Sequence, residues 1–440
     1  MRRLAVWLLL AAAGVARAEP LTLEQAIAGA QAAASVQAVA EGERAAAARS
    51  REARAAFLPS IAAEAYESRQ TRNLASQGFS FPGIPEVIGP FDSFDARLKA
   101  TQLLFDYTAV LALKGAGLSA RLAHARTQAA SEEAASRAAL GYIAVLRDQQ
   151  ALAVAQSDLQ LAEELRTLAE DQKRAGVASG VDVARAETAV AQDRFALAQA
   201  QARLATSRIA LNRLVRRPQD AALELGDVLE FVPEAVPDAA QSLARARRQR
   251  AELTVLDLRH RQLDLEAESA RSARMPTLGL FADYGMSGNT PVVHESETYT
   301  YGARVTMPLV AGGAIAARVD QAESRLAETR WQIEDADAQV EQDVRVALTQ
   351  AASAQEQVRA ADAARQMAER ELQLSRDRFA QGVGGNVEVI EAQAALARAR
   401  AVGVDALAAW QVARANFAAA VGEARSFRLR PGARPVPESS

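Results

Sequence analysis

Two stretches of the chain alternate apolar and polar positions with a period of two. In 299–309, Tyr299, Tyr301, Ala303, Val305, Met307 and Leu309 alternate with Thr300, Gly302, Arg304, Thr306 and Pro308. In 94–101, Phe94, Ala96, Leu98 and Ala100 alternate with Asp95, Arg97, Lys99 and Thr101. Such alternation predicts strands with one apolar and one polar face. Runs 58–66 and 276–284 alternate less cleanly and read as their partners. The pattern fits membrane-spanning strands, apolar outside and polar inside, and it fits a half-buried soluble sheet as well. Stretches 71–92 and 286–298, the first rich in Gly and Pro, read as exposed loops, with Phe79, Phe81 and Phe91 in the first.

The rest of the pattern is helical. Very long segments are predicted over 107–173 and 314–379, and shorter ones over 21–56, 182–217, 240–274 and 388–424. About 66 residues of helix span roughly 100 Å, more than a compact domain needs. Along 314–379, Ile315, Ala322 and Thr329 recur every seven residues, as do Val319, Leu326, Ile333 and Val340. A step of four then moves the seam to Val344, Ala351 and Val358, which locally unwinds a left-handed coiled coil. Two shorter helices of about 36 residues, stacked end to end, can flank each long one. That gives a wall of helices with an Ala-rich, closely packed seam.

The chain repeats itself. Gly176-Val177-Ala178-Ser179-Gly180-Val181-Asp182-Val183 reads like Gly382-Val383-Gly384-Gly385-Asn386-Val387-Glu388-Val389, 206 residues on. Thr101-Gln102-Leu103-Leu104-Phe105 matches Thr306-Met307-Pro308-Leu309-Val310, and Leu58-Pro59-Ser60 matches Met275-Pro276-Thr277. The domain reading is a leader over 1–18, a first repeat over 19–217, a linker over 218–239 holding Pro218, Pro233 and Pro237, a second repeat over 240–425, and a flexible tail over 426–440. Each repeat runs helix, two strands, long helix, Gly-rich turn, short helix. The leader has Arg2 and Arg3, an apolar run from Leu4 to Val15 and an Ala16-Arg17-Ala18 cleavage site. It predicts export. No cysteine follows it to take a lipid.

Composition removes whole classes of chemistry. The 440 residues contain no Cys and three scattered His, His124, His260 and His294. That excludes thiolate catalysis and Cys-ligated metal, and it leaves no basis for a metal site or for an enzyme. No phosphate-binding loop is present, and no cofactor is expected. A net charge of −3 gives no electrostatic case for nucleic acid.

With the duplication, the strand–strand–long helix–short helix order and the paired Gly-rich motifs together, the chain resembles the outer-membrane efflux (TolC-like) family over residues 20–425. The second motif in full is Phe379-Ala380-Gln381-Gly382-Val383-Gly384-Gly385-Asn386-Val387-Glu388-Val389-Ile390-Glu391-Ala392. The resemblance implies a mainly α fold of long antiparallel coiled-coil helices in a trimeric α-barrel, with four strands per chain in a shared twelve-stranded transmembrane β-barrel. It implies a homotrimer in outer-membrane lipid, with the linker and C-terminal residues as a belt around a periplasmic tunnel. The partners would be a periplasmic adaptor protein and an inner-membrane transporter of RND or ABC type. The function implied is a passive exit duct of a tripartite efflux or type I secretion system. A periplasmic coiled-coil adaptor without a barrel is the alternative, and an exported enzyme a distant third.

The family also implies roles at the tunnel tip. Gly176, Val177, Gly382 and Val383 would close the helical hairpins and meet the adaptor. Glu388 and Glu391, one turn apart, fall where the family lines its constriction, and three-fold symmetry would make them carboxylate rings that favour cations. Asp182 matches the acidic position that can latch the closed tip. Each acid is also what a helix first turn favours. Gly384 stands where some relatives carry a basic latch residue, and Phe379 stands where a tyrosine can occur, so a differently latched tip is expected.

Overall fold

The computed structural model describes residues 20–78, 82–176, 178–291, 295–381, 383 and 385–429. The leader, Phe79, Phe81, Val177, His294, Gly382, Gly384 and the tail after 429 lie outside the described residues. In chain order the elements are α1 (Leu23–Gln31), α2 (Ala34–Ala55), β1 (Ser60–Asn73), β2 (Val87–Phe105), α3 (Tyr107–Arg174) and α4 (Gly180–Leu214). The second repeat gives α5 (Ala239–Gln249), α6 (Ala251–Ser272), β3 (Thr277–Gly288), β4 (Ser296–Thr306), α7 (Ala314–Ala380) and α8 (Asn386–Ala420). The chain divides into two compact units, one over 38–127 and 251–337, the other over the remainder.

The first unit holds the sheet. Its order is β1-β2-β3-β4, antiparallel throughout, so the two repeats join at the β2–β3 ladder and leave β1 and β4 as edges. One face carries the rows Ala63–Leu98–Tyr284–Tyr299 and Ile61–Ala100–Ala282–Tyr301. These side chains stand in the open, with Tyr301 77% exposed and stacked on Tyr299. The opposite face is charged and internally paired: Arg97 bridges Asp95 and Asp283, Lys99 meets Glu64, and Arg304 lies over the Phe281 ring. Gly302, opposite Phe281, leaves room for that ring, because a Cβ there would lie 2.9 Å from it. A sheet with its charges paired on one side and its apolar side chains exposed on the other is the inverse of a soluble half-buried sheet.

The strands outrun the alternation that predicted them. β1 continues through Glu67–Asn73 and β2 begins at Val87, so both ends of the segment read as a loop over 71–92 belong to strands, with Arg72 opposite Ile88. Backbone pairing needs no apolar side chain, and periodicity cannot detect a strand that is polar on both faces. In the same unit, Leu122, Ala125 and Leu258 pack together, and Arg271 pairs with Glu323 at 2.7 Å.

In the second unit the predicted seam of α7 is buried at Val340, Val344, Ala351 and Val358. A larger core gathers α1, α3, α4, the linker and the C-terminal residues Phe427 and Leu429 around Tyr142. Tyr142 is 0% exposed. Its hydroxyl lies 2.8 Å from the Leu21 carbonyl and 2.7 Å from the Asp227 carboxylate, which also accepts the Leu23 N–H at 2.9 Å. Burial, reinforced by Asp227, holds the phenol well above its ordinary pKa, so it stays a donor. Leu21 and the linker residue Leu225 form a short parallel bridge. The linker is thus tied in at its centre.

Two helices expected to be continuous are broken. The segment over 21–56 breaks at 32–33, and the one over 240–274 breaks at Arg250, whose backbone is extended. Neither site carries a local breaker. The cause is tertiary and repeats 206 residues apart. After α4, Arg216 adopts a left-handed φ of 60°, and its guanidinium donates to the Ala32 carbonyl at 2.8 Å. After α8, Gly422 has φ 82°, and a Cβ there would lie 2.9 Å from the Gln249 carbonyl carbon.

Gly422→Ala should therefore cost about 2–3 kcal/mol, combining left-handed strain with a backbone clash, whereas Arg216→Gly should stay within about 1 kcal/mol because relieved strain offsets a lost hydrogen bond. Thermal unfolding of the detergent-solubilised protein reads both, and equal losses would refute the account. By the same measurement Tyr142→Phe should cost about 1 kcal/mol, since it removes the hydroxyl that donates between the Leu21 carbonyl and the Asp227 carboxylate.

Candidate functional site

The two Gly-rich turns each carry a backbone hydrogen bond back to the long helix before them, and they start the return helices differently. After α3, Gly176 takes φ 78° in open space, and the Ala178 N–H donates to the Gln172 carbonyl at 3.3 Å. The positive φ alone accounts for glycine there. α4 then opens with a capping box. Both the N–H and the hydroxyl of Ser179 donate to Asp182 Oδ2, at 2.9 and 2.7 Å. These bonds hold the Asp182 carboxyl below the ordinary aspartate range, and Arg185, 3.8 Å away, adds to the effect. The Asp182 carboxylate thus serves its own helix.

After α7 the Val383 N–H donates to the Arg378 carbonyl at 3.0 Å. The N-cap of α8 is Gly385, which has no side chain to contribute. Glu388 instead reaches back to Arg378 on α7 at 3.2 Å, an exposed pair. Glu391 is also exposed, one turn along. Val383 projects at 70% exposure. Phe379 is buried among Leu165 of α3, Leu372 of α7, and Val389, Ala392 and Leu396 of α8. The aromatic ring that cannot hydrogen-bond is therefore a packing residue that joins three helices.

Of the residues read from sequence, Glu388 and Glu391 come to one exposed stretch of α8, and Asp182 lies across from the start of that helix. The link between the hairpins was not anticipated. Asn386 Nδ2 donates to the Asp182 carbonyl at 3.0 Å. Higher on α8, Arg400 pairs with Asp158 of α3 at 2.7 Å, and Gln393 approaches Asp193 of α4. Burial pushes the carboxyls of both Asp158 and Asp193 up, in Asp158 against the pull of Arg400.

Comparison with known proteins can now be set beside this geometry. A family model described as outer membrane efflux protein matches residues 27–215 and 242–423. The chain belongs to the outer membrane efflux protein family. It is 28% identical over 354 residues to the alkaline protease secretion protein AprF of Pseudomonas aeruginosa, a match covering 77% of this chain and 72% of AprF. Its fold is similar to the Campylobacter jejuni CmeC outer membrane channel, with a TM-score of 0.81 at 16% identity, covering 91% of this chain and 86% of CmeC. It is similar also to the outer membrane protein VceC of Vibrio cholerae, with a TM-score of 0.77 at 18% identity, covering 91% and 96%. The efflux-family chain is an outer-membrane exit duct, and the reading as a barrel-less periplasmic coiled coil gives way. Among the described residues no helix is long and apolar enough to cross a membrane.

The capping box makes a pH-dependent contribution. A carboxyl whose folded pKa is depressed stabilises the fold above the unfolded value of about 3.9, and that stability is lost as pH falls through the folded value. Asp182→Ala should weaken amide-exchange protection over 179–184 by about 1 kcal/mol at pH 7, with the difference shrinking at strongly acid pH. Unchanged protection at pH 7 would remove the box from the account.

Proposed function

We propose that three copies of this chain assemble through their β1 and β4 edges into one barrel in outer-membrane lipid and continue as a helical duct into the periplasm. The observation that carries this is the four-stranded sheet itself, with an exposed apolar face, a charge-paired polar face and two open edges. An open edge is not viable in hydrocarbon, and a further copy of the same sheet closes it. Export follows from the leader over 1–18, and without a cysteine the mature chain carries no N-terminal lipid. The duct is passive, and no step of catalysis belongs to it.

At the tip, Glu388 and Glu391 of three copies line a cation-favouring constriction. Asp182, with its carbonyl held by Asn386, belongs to the closed arrangement. Gly176, Val177, Gly382 and Val383 form the turns that a periplasmic adaptor meets, and an inner-membrane pump supplies the energy. The similarity to AprF favours a secreted polypeptide as cargo over small toxic compounds.

Three measurements test this reading. The detergent-extracted outer-membrane fraction should hold a heat-modifiable trimer, and a soluble periplasmic monomer would sink the proposal. In planar bilayers, Glu388→Gln with Glu391→Gln should reduce cation preference by several-fold. Loss of an extracellular protein from a deletion strain, with drug susceptibility unchanged, would assign the cargo to secretion. The reverse pattern would assign it to efflux.

A further inference from the structure

Where α3, α7 and α8 meet the linker, the chain leaves a pocket of about 400 Å³. All of its walls belong to one compact unit. One side is apolar, made by Val154 of α3, Phe231 of the linker, Val358 of α7, and Val404 and Leu407 of α8. Val358 belongs to a buried cluster with Trp410, and Phe231 and Leu407 pack against that cluster. The other side is charged, with Arg359, Arg365 and Arg400 against Asp362. Each arginine is anchored: Arg359 by Glu356 at 2.7 Å, Arg365 by Asp362 and Glu369 at 2.7 and 2.8 Å, and Arg400 by Asp158 at 2.7 Å. Glu356, Glu369 and Asp158 hold these side chains without lining the pocket themselves. A guanidinium carries more N–H donors than these carboxylates use.

The floor contains Gly403, in the interior of the alanine-rich α8. Glycine is the poorest helix-interior residue after proline, and alanine the best. Packing does not demand the glycine, because a Cβ there would have nothing within 4 Å. The residue keeps open a space that an ordinary side chain would fill. We propose that this pocket is a binding site for a small organic anion, with its apolar body against Phe231, Val358 and Leu407 and its carboxylate or sulfonate at the three arginines. A pocket of this size, apolar on one side with a few convergent polar groups on the other, suits a drug-sized molecule. The arginines are already fixed by their carboxylates, so an anion meets donors whose ordering cost has been met. A cation would face three guanidinium groups and one carboxylate. The site shares no residue with the tip and does not depend on how the tip closes.

Trp410 provides the readout. It is 3% exposed, and its ring centroid lies 5.8 Å from that of Phe231. In a Trp331→Phe background it is the sole tryptophan beyond the leader. Bromine quenches tryptophan at short range, so the assembled, detergent-extracted trimer is titrated with 4-bromobenzenesulfonate, the neutral 4-bromobenzenesulfonamide and the cation 4-bromobenzylammonium. Quenching by the sulfonate should saturate, at a concentration roughly tenfold lower than any saturation by the ammonium. Arg359→Gln with Arg365→Gln, both at the pocket's charged side, should weaken the sulfonate several-fold and leave the sulfonamide unchanged. Gly403→Leu should abolish the saturable quenching while heat-modifiable migration of the trimer persists. Quenching that never saturates would mean that a neighbouring copy fills the pocket or that nothing binds, and it overturns the site. So does an ammonium that binds as well as the sulfonate, a sulfonate indifferent to the arginine substitutions, or a Gly403→Leu trimer that binds like its parent.

Discussion

A backbone N–H or C=O inside hydrocarbon has no solvent to satisfy it, so every strand that enters the membrane needs a neighbour on both sides. The sheet meets this requirement at its centre and not at its margins. β2 and β3 are paired on both sides, and β1 and β4 on one. The distribution of side chains agrees, because Ile61, Leu98, Tyr284, Tyr299 and Tyr301 share one exposed face while Asp95, Arg97, Asp283, Glu64 and Lys99 neutralise one another on the opposite face. A charged residue facing lipid would cost several kcal/mol, whereas the same residue on a wetted wall costs little. The duplication gives each repeat one hairpin, and the β2–β3 ladder joins the two into one four-stranded sheet with two open edges.

The same duplication governs the helices, and its departures are informative. The left-handed residue after each return helix is Arg216 in one repeat and Gly422 in the other. The first has space for a side chain and uses it to cap α1, while the second lies against the Gln249 backbone and can have none. At the tip, Ser179 caps α4 and its counterpart Gly385 caps nothing. The next pair, Gly180 and Asn386, inverts the relation, so that the second repeat spends its polar side chain on the first instead of on itself. A symmetric scaffold thus acquires an asymmetric contact through single-residue differences at equivalent places.

Much of this was legible in the sequence. The alternation in 94–101 and 299–309 marked strands, the heptads from Ile315 onward marked a buried seam, and the matching glycine motifs marked the hairpin ends. What was not legible has a physical cause in each case. The far ends of β1 and β2 set Arg72 and Asn73 opposite Ile88 and Val87, a pairing that no period-two alternation announces. The breaks at 32–33 and Arg250 are imposed by residues some 180 positions away, and an alanine run carries no trace of them. The polar residues Asn386, Gln393 and Arg400 of α8 were visible as a spacing, but polar residues at helical intervals ordinarily signal a solvated face. Burial is what separates a solvated face from a buried seam, and burial is a property of the fold.

The tip combines two kinds of cohesion with different geometric demands. Phe379, Leu372, Val389 and Leu396 bind α7 to α8, and Leu165 brings α3 to the same cluster. Apolar contact of this kind is non-directional, so helices can slide or tilt across it while losing little. Hydrogen bonds and ion pairs weaken steeply once distance or angle departs from the optimum. The apolar cluster therefore holds the helices together with little demand on register, and the polar contacts of α8 to Asp182 and Asp158 are the bonds that depend on it.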